Sequence, residues 1–237
     1  NRTRRRYTRL PVFEKSPTVN IYHCCVQRTA STWFKRLLSD PVIYQFSGLM
    51  PYDARLSGVR MNNYYHRKYR KPYPPNTIVT GLYIDAHNFK RMPKHPGYKA
   101  FFVMRDPRDI VVSGYFSLLY SHNPMGDVLP LRQHLRSLSQ EEGLVFVIEY
   151  YAKIGLFDAL RSWNETDEDE VLIVKYEDFA SERQRDVVRS IFVHCDIHLP
   201  THEFDRLMDR FEFTKIRGKK VGVEDKFSHY RKGRPGD

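Results

Sequence analysis

A run of hydroxylated and basic residues near the start of the chain has the composition of an anion site. Segment 26–33 reads Val-Gln-Arg-Thr-Ala-Ser-Thr-Trp. The hydroxyls of Thr29, Ser31 and Thr32 can donate hydrogen bonds to anionic oxygens, and Arg28 adds a fixed positive charge. A helix that begins near Ser31 would add unpaired backbone N–H groups and a favourable dipole. The same residues would also fit an ordinary helix with a Ser or Thr N-cap, so this motif alone leaves both interpretations open.

A second candidate anion site lies in segment 105–113, which reads Arg-Asp-Pro-Arg-Asp-Ile-Val-Val-Ser. Asp106 and Pro107 are typical of a helix start. Arg105 precedes that helix with a planar fork suited to a phosphate, and Ser113 lies about two turns into it. The alternative is an Arg–Asp surface pair beside a capped helix. Two anion sites on one domain predict a ligand with two separate anionic groups.

The apolar segments predict the elements that position both motifs. Strands are predicted over 18–25, 77–83, 100–104 and 171–174, and helices over 31–38, 86–91, 107–120, 141–163, about 181–194 and 201–209. Strands that alternate with helices predict an α/β fold with a central parallel sheet of four to five strands, flanked by helices. Ligands bind such sheets at the carboxyl ends of the strands, where both motifs fall.

Length and composition are those of one folded domain. The chain has 237 residues, of which 41% are hydrophobic and 14% aromatic, so it can bury a core and is not a disordered chain. No apolar run reaches the roughly 20 residues of a membrane span. The net charge of +11 favours an anionic partner.

Two regions fall outside the regular pattern. Residues 1–10 form a basic arm that we expect to be mobile. Residues 42–76 are rich in Tyr, Pro and basic residues and are predicted to be a mostly irregular excursion on the substrate side. Such a segment could cover a substrate, stack on nucleic-acid bases or remain a solvated loop.

The cysteines bear on location. Cys24, Cys25 and Cys195 are too few for a disulfide framework, and buried free thiols in a reducing compartment are the simplest account. We therefore expect a cytoplasmic protein. The Golgi lumen stays open, because the chain begins with Asn1 rather than Met and carries N-x-S/T sequons at Asn1 and Asn164.

These motifs resemble those of the sulfotransferases that use 3′-phosphoadenosine 5′-phosphosulfate (PAPS), and the resemblance spans most of the chain. Segment 27–33 is similar to the family's 5′-phosphosulfate loop, and segment 105–113 to its 3′-phosphate motif. Segment 174–178 is similar to a strand end whose Tyr lies near the adenine, and Phe213 stands where the family has an adenine-contacting Phe. Segment 231–237 resembles a late Arg-Lys-Gly motif that returns to the 3′-phosphate.

The resemblance implies a P-loop NTPase-like three-layer sandwich, with residues 1–237 as one sulfotransferase domain nearest the cytosolic and bacterial small-molecule type. The implied reaction transfers a sulfuryl group from PAPS to a hydroxyl or amine and releases adenosine 3′,5′-bisphosphate (PAP). PAPS is the expected co-substrate, and no metal is expected. The expected partner is a small-molecule or saccharide acceptor, with a homodimer as a further option and no nucleic acid or membrane segment.

The resemblance also implies the site residues. The implied nucleotide-binding residues are Arg28, Thr29, Ala30, Ser31, Thr32, Trp33, Arg105, Ser113, Tyr176, Phe213, Arg231, Lys232 and Gly233. Arg28 is also expected to be catalytic, by stabilising charge on the transferring group. This chain departs from the family pattern in having Arg28 where cytosolic members usually have Lys, and Ala30 where Gly is usual. Ala30 would be strained if its φ were positive.

The catalytic base is harder to place. The family usually has a His just after its second strand, and here that position falls on Gly81 or Tyr83, depending on the match. Asp85 and His87 are the nearest candidates, with a helix cap and a solvated helix residue as their alternative roles. His122, after the helix of the second motif, is a candidate for the acceptor side.

Two other functions fit parts of the sequence. A nucleotide kinase or NTPase would need a Gly-rich loop ending in Gly-Lys-Ser/Thr, which segment 26–33 lacks. A non-enzymatic nucleic-acid-binding module would use the basic arm and the Tyr-rich excursion, and would leave both anion motifs unexplained.

Overall fold

A parallel five-stranded sheet, in the order β2-β3-β1-β4-β5, forms the centre of the fold. The structure is a computed structural model that describes residues 7–57, 68–123 and 128–212. The strands are β1 (Asn20–Cys25), β2 (Met50–Asp53), β3 (Thr77–Tyr83), β4 (Tyr98–Met104) and β5 (Val171–Lys175). The predicted α/β class, with a parallel sheet of four to five strands, is confirmed.

Helices flank the sheet along the described chain. They are α1 (Ser31–Leu38), α2 (Pro41–Gln45), α3 (Ala86–Arg91), α4 (Pro107–Phe116), α5 (Val128–Arg136), α6 (Gln140–Lys153), α7 (Leu156–Asn164), α8 (Tyr176–Phe179), α9 (Gln184–His194) and α10 (Thr201–Phe211). A 3₁₀ turn covers Ala54–Ser57, and a π turn, Ser117–Ser121, continues α4.

The central strand β1 separates two hydrophobic cores. All six of its residues are buried. Tyr22 packs in the core that contains Trp163, and Ile21 packs in the core that contains Trp33. Alternating side chains point to opposite faces of a strand, so one buried strand can serve both cores. This gives three layers, with helices on both faces of the sheet.

The segment 42–76 contains more regular structure than predicted. It begins within α2 and includes β2, a half-buried edge strand that pairs with β3. A four-residue strand gives too short a pattern to be recognised, and Pro51 within it is tolerated because the strand lies at the sheet edge. Residues 58–67 lie outside the described residues.

The predicted helix over 141–163 is two helices. Gly155, with φ of 80°, separates α6 from α7. A left-handed backbone at this position suits glycine and ends a helix. The basic arm also differs in part from the prediction, because Tyr7 is buried and its hydroxyl donates to Ser39 O at 2.5 Å. Residues 1–6 lie outside the described residues.

Candidate active site

The loop between β1 and α1 has an unusual backbone. Arg28 and Ala30 both have positive φ, of 69° and 58°. Thr29 is fully buried between them, and its hydroxyl donates to Val26 O at 2.9 Å, so this hydroxyl shapes the loop. Ala30 caps α1 without a side-chain hydrogen bond, which leaves the first N–H groups of the helix open to an anion.

Arg28 joins the two predicted motifs. Its Nε donates to Ser113 Oγ at 2.9 Å, and its Nη1 donates to Ser117 Oγ at 3.1 Å. Arg105 Nη1 donates in turn to Arg28 O at 2.7 Å. The Arg28 side chain is half-buried overall but protein atoms surround its guanidinium, and this desolvation lowers the pKa of Arg28. An arginine still remains charged near neutral pH.

Arg105 lies at the end of β4 between the loop and Tyr176. Its guanidinium carbon is 4.0 Å from the centre of the Tyr176 ring, and both residues are 9% exposed. Its Nε is buried and has no hydrogen-bond partner within the described part of the chain. The next backbone N–H, that of Asp106, donates to Glu177 Oε1 at 3.1 Å and ties α4 to α8. The site therefore contains a positively charged guanidinium whose Nε–H has no protein acceptor among the described residues.

The first turn of α1 contacts two further elements. Ser31 Oγ and the Tyr83 hydroxyl at the end of β3 are 2.9 Å apart. Trp33 Nε1 donates to Phe211 O at 3.1 Å, and its ring packs against Phe179 at 4.8 Å. Thr32 is half-buried in the same turn. The carboxyl ends of β1, β3 and α10 therefore meet beside the loop.

Three charged side chains that the sequence analysis did not identify flank this turn. Asp53, at the end of β2, forms ion pairs with Lys35 and with Arg55 Nε, the latter at 3.1 Å. Burial alone would raise the pKa of the Asp53 carboxyl, but hydrogen bonds from Arg55 and Lys35 outweigh it and lower the pKa. Arg55 lies over Gly81, where φ is 66° and an added Cβ would be 3.4 Å from the arginine side chain.

Asp85 and His87, the predicted bases, lie on the segment after β3. Asp85 is the N-cap of α3, and its carboxylate accepts from Asn88 N at 2.8 Å. His87 is exposed on α3. Trp163 Nε1 donates to Ile84 O at 2.9 Å and anchors the segment. The structure thus gives Asp85 a capping contact, and the catalytic role of either residue stays a prediction.

Tyr151 of α6 is a buried site neighbour that the sequence did not distinguish from core. Its hydroxyl lies against Gly114 of α4, where any side chain would collide with it. Burial raises the pKa of Tyr151 to about 12, although the nearby charges of Arg28 and Arg105 oppose the rise. The remaining predicted contacts, Phe213 and 231–233, lie outside the described residues.

A family model described as "Sulfotransferase domain" matches residues 16–237. The chain belongs to the sulfotransferase family. The family predicted from segments 27–33 and 105–113 is therefore confirmed, and neither the kinase nor the nucleic-acid alternative is favoured. No curated protein matches the chain.

Solved structures share the fold of this sulfotransferase. Mouse sulfotransferase SULT7A1, complexed with PAP, is 15% identical with a TM-score of 0.58, and the match covers 95% of this chain and 79% of that one. Retinol dehydratase, in a complex with retinol and PAP, is 13% identical with a TM-score of 0.50, and the match covers 88% and 68%. At identities this low, the structural similarity shows a shared fold and nothing more.

Within 7–57, 68–123 and 128–212, no group of three or more His, Cys, Asp or Glu side chains could hold a metal ion. Over the same ranges, no helix combines the length and apolar character needed to cross a membrane.

Proposed function

We propose that this sulfotransferase transfers a sulfuryl group from PAPS to a hydroxyl or amine of a small-molecule or saccharide acceptor and releases PAP. The observation that carries the proposal is the contact between the two anion motifs. Arg28 bonds Ser113, and Arg105 bonds the backbone of Arg28, so one site combines the cations and hydroxyls of both motifs. PAPS carries a 3′-phosphate and a 5′-phosphosulfate, which are the two separate anionic groups that such a site suits.

The 3′-phosphate would bind beside Arg105 and Ser113. Arg105 has its buried Nε available for an oxygen, and its guanidinium carbon lies 4.0 Å from the centre of the Tyr176 ring. Arginine held in this way forms strong charge-assisted hydrogen bonds to phosphate. Segment 231–233 is the proposed third contributor, with Phe213 and Tyr176 beside the adenine.

The phosphosulfate would bind in the loop at the start of α1. The helix begins without a side-chain cap, so its first N–H groups face the ligand. Ser31 and Thr32 are half-buried there and add hydroxyl donors. Trp33 anchors the turn through its bond to Phe211 O at 3.1 Å. Backbone, hydroxyl and arginine donors thus surround one anionic group.

In the transfer, an acceptor oxygen or nitrogen attacks sulfur as the bond to PAP breaks. The residues mainly orient the two molecules and neutralise the charge that develops on the leaving phosphate, as in phosphoryl transfer. Arg28 contributes most to neutralisation, since it belongs to the loop motif and also bonds Ser113 of the second motif. Asp85 and His87 remain candidate bases that variants at each position can test.

A binding comparison and an acceptor screen test the proposal. PAP should raise the melting temperature of the protein well beyond ATP with Mg²⁺ at equal concentration, because only PAP offers a 3′-phosphate to Arg105. Labelled PAPS with a panel of phenols, alcohols, amines and saccharides should then give a sulfated product. A protein that ATP with Mg²⁺ stabilises more than PAP does, and that sulfates no acceptor, contradicts the proposal.

A cytoplasmic location and a homodimer complete the proposal. The location is supported by Cys24, Cys25 and Cys195, which are buried free thiols of the kind that persist in a reducing compartment. Fractionation of cells that express the full-length protein tests the location. Sedimentation of the purified protein at several concentrations tests the dimer.

A further inference from the structure

The π turn after α4 places a histidine near Arg28. Ser113 and Ser117 both accept hydrogen bonds from this arginine. The turn Ser117–Ser121 then contains one residue more than an α-helical turn, and the backbone N–H of His122 donates to Ser117 O at 2.7 Å. His122 therefore follows, one wide turn on, the serines that hold Arg28. Single π turns within helices occur frequently at functional sites.

Arg132 of α5 holds this turn in place. Its Nε donates to Leu118 O at 2.7 Å, and its Nη2 donates to His122 O at 2.5 Å. The backbone of His122 is therefore fixed at both its N–H and its carbonyl. Such a clamp limits the positions of the half-buried imidazole.

The surroundings of His122 favour its neutral form. Burial lowers its pKa, and the charges of Arg28 and Arg132 lower it further, while a hydrogen bond with the Asn123 backbone opposes them. The charges that lower this pKa are thus those of two arginines, Arg28 of the loop and Arg132 of α5. A neutral imidazole can accept a proton at neutral pH.

We infer that His122 is the general base of this sulfuryl transfer, an inference that deepens the proposed function and rests on it. The acceptor oxygen or nitrogen forms a bond to sulfur while the bond between sulfur and the PAP phosphate oxygen breaks. The electron pair of the broken bond leaves with PAP. The acceptor proton passes to the imidazole of His122 and then to water, which returns the base to its neutral form.

Four histidine variants and one carboxyl variant test the inference. The measurement is kcat against pH for PAPS with the best acceptor of the screen, together with PAP affinity. His122→Asn should cost about 10²–10⁴ in kcat and remove the acidic limb of the profile, because that limb reports the base. PAP affinity should not change, and added imidazole should restore part of the activity of His122→Ala.

His198→Asn serves as the matched control, since His198 is exposed beyond α9. It should keep the wild-type rate and profile. The inference is overturned if His122→Asn keeps the acidic limb, if it loses PAP affinity in step with kcat, or if His87→Asn or Asp85→Asn removes the limb instead. A wild-type protein that neither binds PAP nor sulfates any acceptor overturns the proposed function, and this inference with it.

Discussion

At the scale of single residues, Arg105 is the side chain whose removal should weaken nucleotide binding most directly. Arg105→Ala should weaken PAP binding by about 2–3 kcal/mol, since a charge-assisted bond is lost and its buried partner stays unpaired. Adenosine 5′-phosphosulfate, which lacks the 3′-phosphate, should lose far less. Calorimetric titration of both nucleotides measures the difference. Arg108→Ala is the matched control, because that arginine is exposed and pairs with Asp106 at 2.6 Å. Equal losses for the two nucleotides would contradict the assigned role.

Ala30 is a second residue with a local prediction, because its φ of 58° lies in the left-handed region. A side chain at this φ strains the folded state by about 1–2 kcal/mol. Replacing it with Gly removes that strain, but the greater entropy of Gly in the unfolded chain offsets about 0.4–1 kcal/mol of the gain. Ala30→Gly should therefore stabilise the protein slightly, as urea unfolding would show. Ala152→Gly in α6 should instead destabilise it by about 0.5–1 kcal/mol. A loss of stability in both variants would contradict strain at Ala30.

At the scale of elements, β1 contains a buried histidine that predicts acid sensitivity. The His23 ring stacks on Phe101 of β4 at 4.8 Å, and neither ring nitrogen has a hydrogen-bond partner among the residues described. Burial lowers its pKa to about 3, with the charge of Arg55 adding to the effect. In the unfolded chain, His23 would bind a proton below about pH 6.5. In the folded chain, it would bind one only below about pH 3.

The unfolded state therefore gains protons first as the pH falls. The free energy of unfolding should drop between about pH 6.5 and 3, by up to about 1.4 kcal/mol per pH unit from His23 alone. His23→Leu should remove that contribution, which urea unfolding at several pH values can measure. His198→Asn, at an exposed position, should leave the slope in place. A slope that survives in His23→Leu would assign the acid sensitivity to other groups.

The elements also show what the sequence could predict. Segments 26–33 and 105–113 were recognisable because each combines a buried strand end with helix-start chemistry, which are local signals. The hydrogen bond from Arg28 to Ser113 could not be predicted from the sequence, because it depends on how β1 and β4 pair. Asp53 was missed because β2 is too short for a pattern, and Tyr151 because a buried aromatic on a helix reads as core.

At the scale of the whole molecule, Arg28 and Ser113 join the β1–α1 unit to the β4–α4 unit, so PAP binding should depend on them as a pair. Arg28→Ala and Ser113→Ala should each weaken PAP binding, and the double variant should lose less than the sum, with a coupling of about 0.5–3 kcal/mol. The reason is that the first substitution already breaks their 2.9 Å bond. Titration calorimetry on the wild type, the two single variants and the double variant, which together form a double-mutant cycle, gives the coupling free energy.

A distant pair provides the control for that cycle. Arg185 of α9 forms ion pairs with Asp205 and Asp209 of α10, among the described residues, and shares no contact with Ser113. The effects of Arg185→Ala and Ser113→Ala on PAP affinity should therefore add within about 0.5 kcal/mol. If Arg28 and Ser113 prove equally additive, the two motifs bind their anionic groups independently. The bond between them would then have no part in shaping a single nucleotide site.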